Sequence, residues 1–338
     1  MGFEPIRTER LLLRPMRLDD IDAVHARRNH PDVARYQTWT LPYPRERAER
    51  MVAEVVAMDG PTNDDSWMLT IADPADTTTY GDFVVELSWQ GRTAEIGYTL
   101  DPAAWGRGYA VEAATAMVEY LFTVLGTTRV QGMLHPDNPA SAMVLERVGM
   151  TFEGHTRSSF WVGEENSDDW IYGMTRDDWE AWRSRPRHRP ALVELVEVTP
   201  DNLGAVVKMT THKSQERFVA PNLYSLAEAL VPEVDDGHPV VPWYRAIAAD
   251  GDLVGFVMLS LPNPVQDAPY LWRLLIDRMH QRRGIGSMVL DLLVAECTRM
   301  GAPVLDVSWA PGRGSPEPLY LGRGFVPTGE IDDGEIVA

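Results

Sequence analysis

Two short glycine-containing turns are the clearest candidates for chemistry in this sequence. One spans Trp105–Ala110 and the other spans Gln281–Gly286. A turn of this kind that leads into a helix directs several backbone N–H groups at one point, and the helix dipole adds a partial positive charge there. Glycine permits the close approach or the positive φ that such a turn needs. Each turn therefore predicts a phosphate-binding site, with an ordinary tight turn as the alternative.

The residues around the two turns predict the same order of elements. A strand-like run precedes each turn, at 94–100 and 270–276, and a helical pattern of apolar residues follows it. A second strand-like run follows each helix, at 129–134 and 304–308. Strand, turn, helix and strand in that order indicate mixed α/β domains.

The two halves of the chain repeat with a nearly constant offset. The interval from Gly108 to Gly284, called the repeat interval below, matches the interval from Gly149 to Gly324 to within a single position. The second pair of glycines belongs to another motif that the halves share. Two unrelated domains would rarely agree so closely. The repeat therefore predicts two similar domains in tandem, each with a mixed central sheet flanked by helices.

A proline- and arginine-rich segment separates the halves. Residues 183–190 contain two prolines and four arginines and predict an exposed, fairly stiff linker. A basic segment that contacts phosphate is the alternative. The 338-residue chain is therefore divided into an N-terminal domain at 1–182, the linker at 183–190 and a C-terminal domain at 191–338.

Charge and composition exclude several classes of function. The chain has 31 basic and 50 acidic residues, and its net charge is −19 at pH 7. Nucleic-acid binding needs clustered Lys and Arg, so no nucleic-acid partner is expected. The acidic surface favours a cationic partner, with a surface charge that serves solubility as the alternative. No apolar run is long enough to span a membrane, and the histidines lack metal-ligand spacing, so neither a membrane nor a metal is expected. The single cysteine, Cys297, fits a reducing compartment and predicts a cytoplasmic protein.

Together these motifs resemble the GNAT superfamily of acetyl-CoA-dependent N-acetyltransferases, in two tandem copies. The turn of that family has the pattern Gln/Arg-x-x-Gly-x-Gly/Ala. Gln281–Gly286 matches it at every position, and Trp105–Ala110 matches it at all but the first. The first half is similar to the branch that acetylates ribosomal-protein N-termini, through Thr8–Pro15 and Val144–Met150. The second half is similar to bacterial polyamine-type acetyltransferases, through Phe218–Asn222 and the C-terminal segment.

The resemblance implies acetyl-CoA as the cofactor, with its diphosphate on each turn. The residues implied in cofactor binding are Gly106, Arg107, Gly108, Tyr109, Ala110, Asn138, Gln281, Arg282, Arg283, Gly284, Ile285 and Gly286. It further implies that the pantetheine arm pairs with the strand before each turn. Splayed strands there would leave unpaired N–H groups for the thioester oxygen.

The resemblance also implies catalytic residues, and the two halves differ in them. Tyr320 matches the family's Leu-Tyr-x-x-x-Gly-Phe, whose tyrosine protonates the leaving sulfur; the alternative is an ordinary half-buried aromatic residue. Leu145 stands at the aligned position of the first half. Ser141 remains there, either near the sulfur or, with Asn138, as a helix cap. Independently of the resemblance, Glu95 is the candidate base of the first half as a carboxylate on the central strand, acting through a water.

The C-terminal segment carries two further candidates and one departure. Glu330 and Glu335 are candidates for holding a cationic acceptor, with solvated charges as the alternative. The glycines and prolines of 312–318 predict a shortened or broken helix. Arg313 precedes Tyr320 at the spacing by which Asn138 precedes Leu145 in the first half.

These observations favour an N-acetyltransferase that transfers acetyl directly to a primary amine of a small cationic molecule, of polyamine or aminoglycoside type. Acetylation of protein N-termini or lysines is one alternative. An acyl-CoA-binding scaffold with one inactive domain is another. The intact tyrosine motif favours the second half as the better-equipped domain, and both a monomer and a homodimer are compatible with the sequence.

Overall fold

Two large sheets, each with its own helices, organise the part of the chain that the structure describes. The structure is a computed structural model that describes residues 3–62, 65–162 and 164–338. The chain divides between Arg183 and Ser184 into two units. Each unit has a mixed α/β architecture built on one large sheet. The predicted class, two tandem α/β domains with mixed central sheets, is confirmed.

The first unit contains an eight-stranded sheet in the order β1-β2-β3-β4-β5-β6-β8-β7. Its strands are β1 (Ile6–Arg7), β2 (Leu12–Pro15), β3 (Ser66–Ala72), β4 (Thr79–Ser88), β5 (Thr93–Leu100), β6 (Arg129–Leu134), β7 (Thr151–Val162) and β8 (Glu165–Thr175). Among these neighbours, β5 and β6 are parallel and the other pairs are antiparallel. The parallel pair is therefore the place where a helix must cross over.

Helices cover both faces of this sheet. They are α1 (Ile21–Arg28), α2 (Pro31–Ala34), α3 (Arg45–Val56), α4 (Tyr109–Tyr120), α5 (Pro139–Val148) and α6 (Arg176–Ser184), with a π-helical turn at Leu121–Leu125 after α4. The α3 helix buries Ala48, Val52 and Val55, at the spacing of one helical face, against Met68 and Val84 of the sheet. On the opposite face, α5 places Leu145 against Gly132 of β6.

The second unit contains a seven-stranded sheet in the order β16-β17-β15-β14-β13-β12-β9 and a separate β10-β11 hairpin. Its strands are β9 (Val193–Val196), β10 (Val234–Asp235), β11 (His238–Pro239), β12 (Val241–Ala249), β13 (Asp252–Leu261), β14 (Tyr270–Ile276), β15 (Asp306–Trp309), β16 (Ile331–Asp332) and β17 (Glu335–Val337). As in the first unit, one central pair, β14 and β15, is parallel.

The helices of the second unit also lie on both faces. They are α7 (Leu203–Val206), α8 (Asn222–Leu230), α9 (Ile285–Arg299) and α10 (Glu317–Leu321). Along α9, Val289, Leu293 and Cys297 recur once per helical turn and enter the core, so Cys297 is a buried packing residue. The other face carries Val206 of α7 against Phe256.

The helix predicted to be disturbed around 312–318 is indeed short. The α10 helix has 5 residues, whereas α5, its counterpart, has 10 residues. The strand predicted at 304–308 lies at Asp306–Trp309. Within the described residues, no helix combines the length and the apolar character needed to cross a membrane.

A buried ion pair fixes α1 to the sheet of the first unit. Arg27 Nη1 lies 2.6 Å from Asp82 Oδ2, and the two side chains are 1% and 4% exposed. Asp101 makes a second, longer contact with the same guanidinium, at 3.2 Å. Because each charge is out of water, its stability depends on the partner.

Replacing Arg27 tests this dependence. Arg27→Met leaves the Asp82 carboxylate buried without its main partner, so the free energy of unfolding of the first unit falls by about 3–5 kcal/mol in a urea titration followed by circular dichroism. Arg45→Met breaks the exposed pair with Asp22 and changes this free energy by less than about 1 kcal/mol. Equal losses in the two variants would contradict the role of burial.

Candidate active site

Both glycine turns have the same unusual backbone. Gly106 and Gly108 have φ of 74° and 80°, and Arg282 and Gly284 have φ of 63° and 78°. Each turn thus has left-handed residues two positions apart, immediately before a long helix. Successive N–H groups in such a turn form a concave site for an anion. Arg282 is strained in this conformation, since an L side chain disfavours it, which indicates a constraint beyond chain reversal.

The helices that follow each turn add their own N-terminal amides to this concavity. Gly108 and Gly284 are the N-caps of α4 and α9, which have 12 and 15 residues. The first-turn amides of a helix have no intrahelical acceptor. A Cβ on Gly286 would lie 3.3 Å from Leu319 Cδ2, so a side chain at this position would crowd the packing of α9 against α10. Both turns fit the phosphates of a nucleotide-like cofactor.

The two turns are closed by the same hydrogen bond from different residues. Gln281 Nε2 donates to the carbonyl of Ile276 at 3.0 Å. In the first unit, Trp105 Nε1 donates to the carbonyl of Leu100 at 2.9 Å. The repeat interval separates the two donors, and it also separates the two acceptors. Trp105 therefore supplies the donor that glutamine supplies in the second turn.

In each unit, the strand before the turn pairs with its parallel neighbour for only a few residues. The β5–β6 pairing ends at Glu95 and Gln131, although β5 continues to Leu100. The β14–β15 pairing ends at Leu271 and Val307, although β14 continues to Ile276. The repeat interval again relates the ends of pairing in the two units. Beyond them, one edge of each central strand runs on to the turn without pairing to its parallel neighbour, and this unpaired edge is called the slot below.

Glu95 stands where the first slot opens. Gln131 Nε2 donates to its carboxylate at 2.9 Å from the neighbouring strand. Burial raises the pKa of Glu95 above its ordinary value, and the negative charges of Glu86 and Asp169 raise it further. The result is a half-buried carboxylate with two other acids near it, suited to accept a proton and to attract a cation.

Ser141 is tied to the same central strand by a tyrosine. Its backbone N–H donates to Asn138 Oδ1 at 3.2 Å, so Asn138 caps α5. The hydroxyl of Tyr98 lies 3.0 Å from Ser141 Oγ and 3.1 Å from its carbonyl oxygen. Burial raises the pKa of Tyr98, so the phenol keeps its proton. Tyr98 is not among the site residues predicted from the sequence. Alternation along β5 places it on the face opposite to Glu95.

Tyr320 lies in α10 of the second unit, at the position that aligns with Leu145 in the first. Its ring is 7% exposed and packs between Trp309 and Phe325, at centroid distances of 5.5 Å and 5.7 Å. No hydrogen bond to its hydroxyl is found among the described residues. Burial raises the pKa of Tyr320, and the nearby Tyr270 and Glu335 raise it further. The phenol is therefore protonated and free to donate.

The two C-terminal carboxylates are placed differently. Glu335 accepts a hydrogen bond from Ser308 Oγ, which also contacts the hydroxyl of Tyr270 at 2.6 Å. Glu330 is exposed. Of these two carboxylates, Glu335 is the one that acts on the pKa of Tyr320.

The other residues predicted to bind the cofactor lie in the two turns and at the starts of α4 and α9. The ring of Tyr109 stacks on Tyr80 with a centroid distance of 4.7 Å. Ala110 and Ile285 are buried at the starts of their helices. Arg107 is exposed, whereas Arg283 is 5% exposed. No group of acidic, histidine or cysteine side chains suited to a metal occurs in the described part of the chain.

Comparison with known proteins gives the family. The model described as "Acetyltransferase (GNAT) domain" matches residues 10–151, and that described as "Acetyltransferase (GNAT) family" matches residues 210–311. The uncharacterized N-acetyltransferase p20 of Bacillus licheniformis is 30% identical over 157 residues, which cover 46% of this chain and 86% of that protein. The spermidine N(1)-acetyltransferase of Escherichia coli is 25% identical over 150 residues, 44% of this chain and 77% of that protein.

Among solved structures, the GNAT-family acetyltransferase from Bacillus anthracis is 26% identical, with a TM-score of 0.46, and the match covers 52% of this chain and 99% of that one.

The chain belongs to the GNAT acetyltransferase family, with two copies of its domain. It is an N-acetyltransferase, and acetyl-CoA is its cofactor.

The shared hydrogen bond of the two turns can be tested at Trp105. Trp105→Phe removes the donor to the Leu100 carbonyl, so the free energy of unfolding of the first unit falls by about 0.5–1.5 kcal/mol. Trp105→Gln restores the donor found in the second turn and loses less, although glutamine is the more polar residue. Urea titrations compare the two variants. A smaller loss for phenylalanine would show that the indole acts by apolar packing alone.

Proposed function

We propose that this protein transfers the acetyl group of acetyl-CoA to a primary amine of a small cationic molecule, of polyamine or aminoglycoside type. The observation that carries the proposal is the half-buried Glu95 at the mouth of the first slot, with Glu86 and Asp169 near it. A polycation is attracted by such a group of acids, and a net charge of −19 favours its approach. The similarity to a spermidine acetyltransferase supports the same acceptor class.

The reaction needs a neutral amine, and Glu95 is proposed to provide it. Its raised pKa makes it a stronger base than an ordinary carboxylate, so it can remove the ammonium proton directly or through a water. Although the tyrosine motif favours the second half, Leu271 stands there at the position equivalent to Glu95. We therefore propose the first unit as the main site for a cationic amine.

Bound acetyl-CoA supplies the thioester that is attacked. In each unit we propose that the left-handed turn holds the diphosphate, through Gly106–Ala110 and Gln281–Gly286, and that free N–H groups of the splayed strand face the thioester oxygen. Ser141, hydrogen-bonded to Tyr98, is the proposed proton donor to the sulfur in the first unit. Tyr320 is the proposed donor in the second unit.

Several parts of the proposal concern the whole chain. We propose domains at 1–182 and 191–338, joined by 183–190, and a cytoplasmic location, in keeping with the free, buried thiol of Cys297.

Glu335, beside Tyr320, is the better candidate for an acceptor contact in the second unit, and exposed Glu330 has the weaker support.

Glu95→Gln tests the proposed base. With spermidine as acceptor, kcat falls by about 10²- to 10⁴-fold. The wild-type enzyme loses activity on acidification as Glu95 is protonated, at a pH above the ordinary pKa of a carboxyl group. This loss disappears in the variant. The folded state favours the protonated form of Glu95, so the ionised carboxylate lowers stability at pH 7 and Glu95→Gln does not lower Tm.

Glu54→Gln is the matched control, since Glu54 is exposed on α3. It leaves kcat, the pH profile and Tm unchanged. A panel of spermidine, an aminoglycoside and peptides with free N-termini, followed by CoA release, tests the acceptor class. Turnover confined to the peptides would overturn the proposal for a small cationic acceptor.

Tyr320→Phe tests the proposed acid of the second unit. In the Glu95→Gln background, which leaves the second unit as the source of transfer, the variant lowers the remaining CoA release by about 10- to 10⁴-fold, while calorimetry finds CoA binding retained. Leu321→Ala, at an exposed neighbour in the same helix, serves as the control. Undiminished release after Tyr320→Phe would remove Tyr320 from the catalytic residues.

A further inference from the structure

An arginine lies against the left-handed glycine of each turn. A Cβ on Gly108 would be 3.4 Å from Arg10 Nη2, and a Cβ on Gly284 would be 3.9 Å from Arg189 Cδ. Arg10 precedes β2 and Arg189 precedes β9, and these strands hold equivalent places in the two sheets. The two arginines are therefore structural counterparts.

The two counterparts differ in what they bind. Arg10 Nε donates to Glu112 Oε2 at 2.6 Å, and Arg10 Nη1 donates to the carbonyl of Arg107 at 2.8 Å. Its charge is therefore neutralised within the first unit. Met288, which has no charge, stands one repeat interval after Glu112. In the part of the chain that the structure describes, Arg189 has no ion-pair partner, and it is exposed.

The segment that carries Arg189 is held against the turn. Arg283, which is 5% exposed, donates from Nε to the carbonyl of His188 at 2.9 Å. Its Nη1 lies 3.0 Å from His280 Nδ1. The hydrogen bond to His188 holds the residues before Arg189 beside Gly284. Part of the segment predicted as an exposed linker therefore lies against the second turn.

Several arginines lie close together in and beside this part of the linker. Burial lowers the pKa of Arg185 to about 10, and the charges of Arg187 and Arg278 contribute in the same direction. Arg278 Nη1 is buried with no hydrogen-bond acceptor among the described residues. The neighbouring carboxylate, Asp277, accepts from the backbone amides of Thr210 and Met279. Like charges held together in an acidic protein indicate a site for an anion.

We propose that Arg189 binds a phosphate group of the CoA held at the second turn. The first turn lacks this contact because Glu112 already neutralises Arg10. The inference rests on the proposed cofactor site at Gln281–Gly286. It assigns to the linker a binding role in addition to joining the domains, and it makes the two cofactor sites unequal in their dependence on charge.

Calorimetry of CoA binding to the full chain tests the proposal. Arg189→Ala weakens binding at one site by about 3- to 20-fold at low salt, and Arg189→Lys retains most of the affinity. Near 1 M salt, where screening acts within ~3 Å, the difference disappears. Arg299→Ala is the control, since it removes the same charge from the far end of α9, and it leaves the affinity unchanged.

Two further measurements assign the contact. Hydrogen exchange shows whether CoA protects the amides of residues 281–288. With 3′-dephospho-CoA, a persisting effect of Arg189→Ala identifies the diphosphate as its partner, and a lost effect identifies the 3′-phosphate. Protection of 281–288 together with unchanged affinity in Arg189→Ala would overturn the inference alone. Absence of protection in the wild-type protein would overturn the proposed cofactor site itself.

Discussion

The structure of each unit depends on a parallel strand pair whose pairing ends after a few residues. Parallel neighbours require a crossover helix, and the strand that stops pairing keeps free N–H groups along one edge. In each unit the helix of that crossover begins at a left-handed glycine, Gly108 or Gly284. One constraint therefore brings together a slot for an extended chain and a concave site for phosphate.

Charge is arranged differently around the two slots. The first unit places a half-buried carboxylate, Glu95, at the mouth of its slot and neutralises the arginine at its turn. The second unit has an apolar residue at the equivalent position, a buried tyrosine nearby and an arginine with no ion pair among the described residues beside its turn. The duplicated fold thus carries two sites with different electrostatic character, and equal specificity for acceptors does not follow from equal architecture.

Much of the fold could be predicted because its signals are local. The strand at 129–134, the start of the helix at Ile285 and the shortening before Tyr320 all follow from periodicity, glycine and proline. The equivalence of Trp105 and Gln281 could not be predicted in this way. An indole and an amide share no sequence pattern, and only their common bond to a strand carbonyl relates them.

By itself the sequence determined the class of the fold, the repeat and the positions of the turns, because backbone conformation at glycine and the period of apolar residues are properties of short segments. Tertiary structure decided which side chains meet. Tyr98 reaches Ser141 across 43 residues, and the linker reaches the turn across 95. Such contacts depend on strand register and helix packing, so the partner of Ser141 and the charge at each turn emerge only when the distant segments come together.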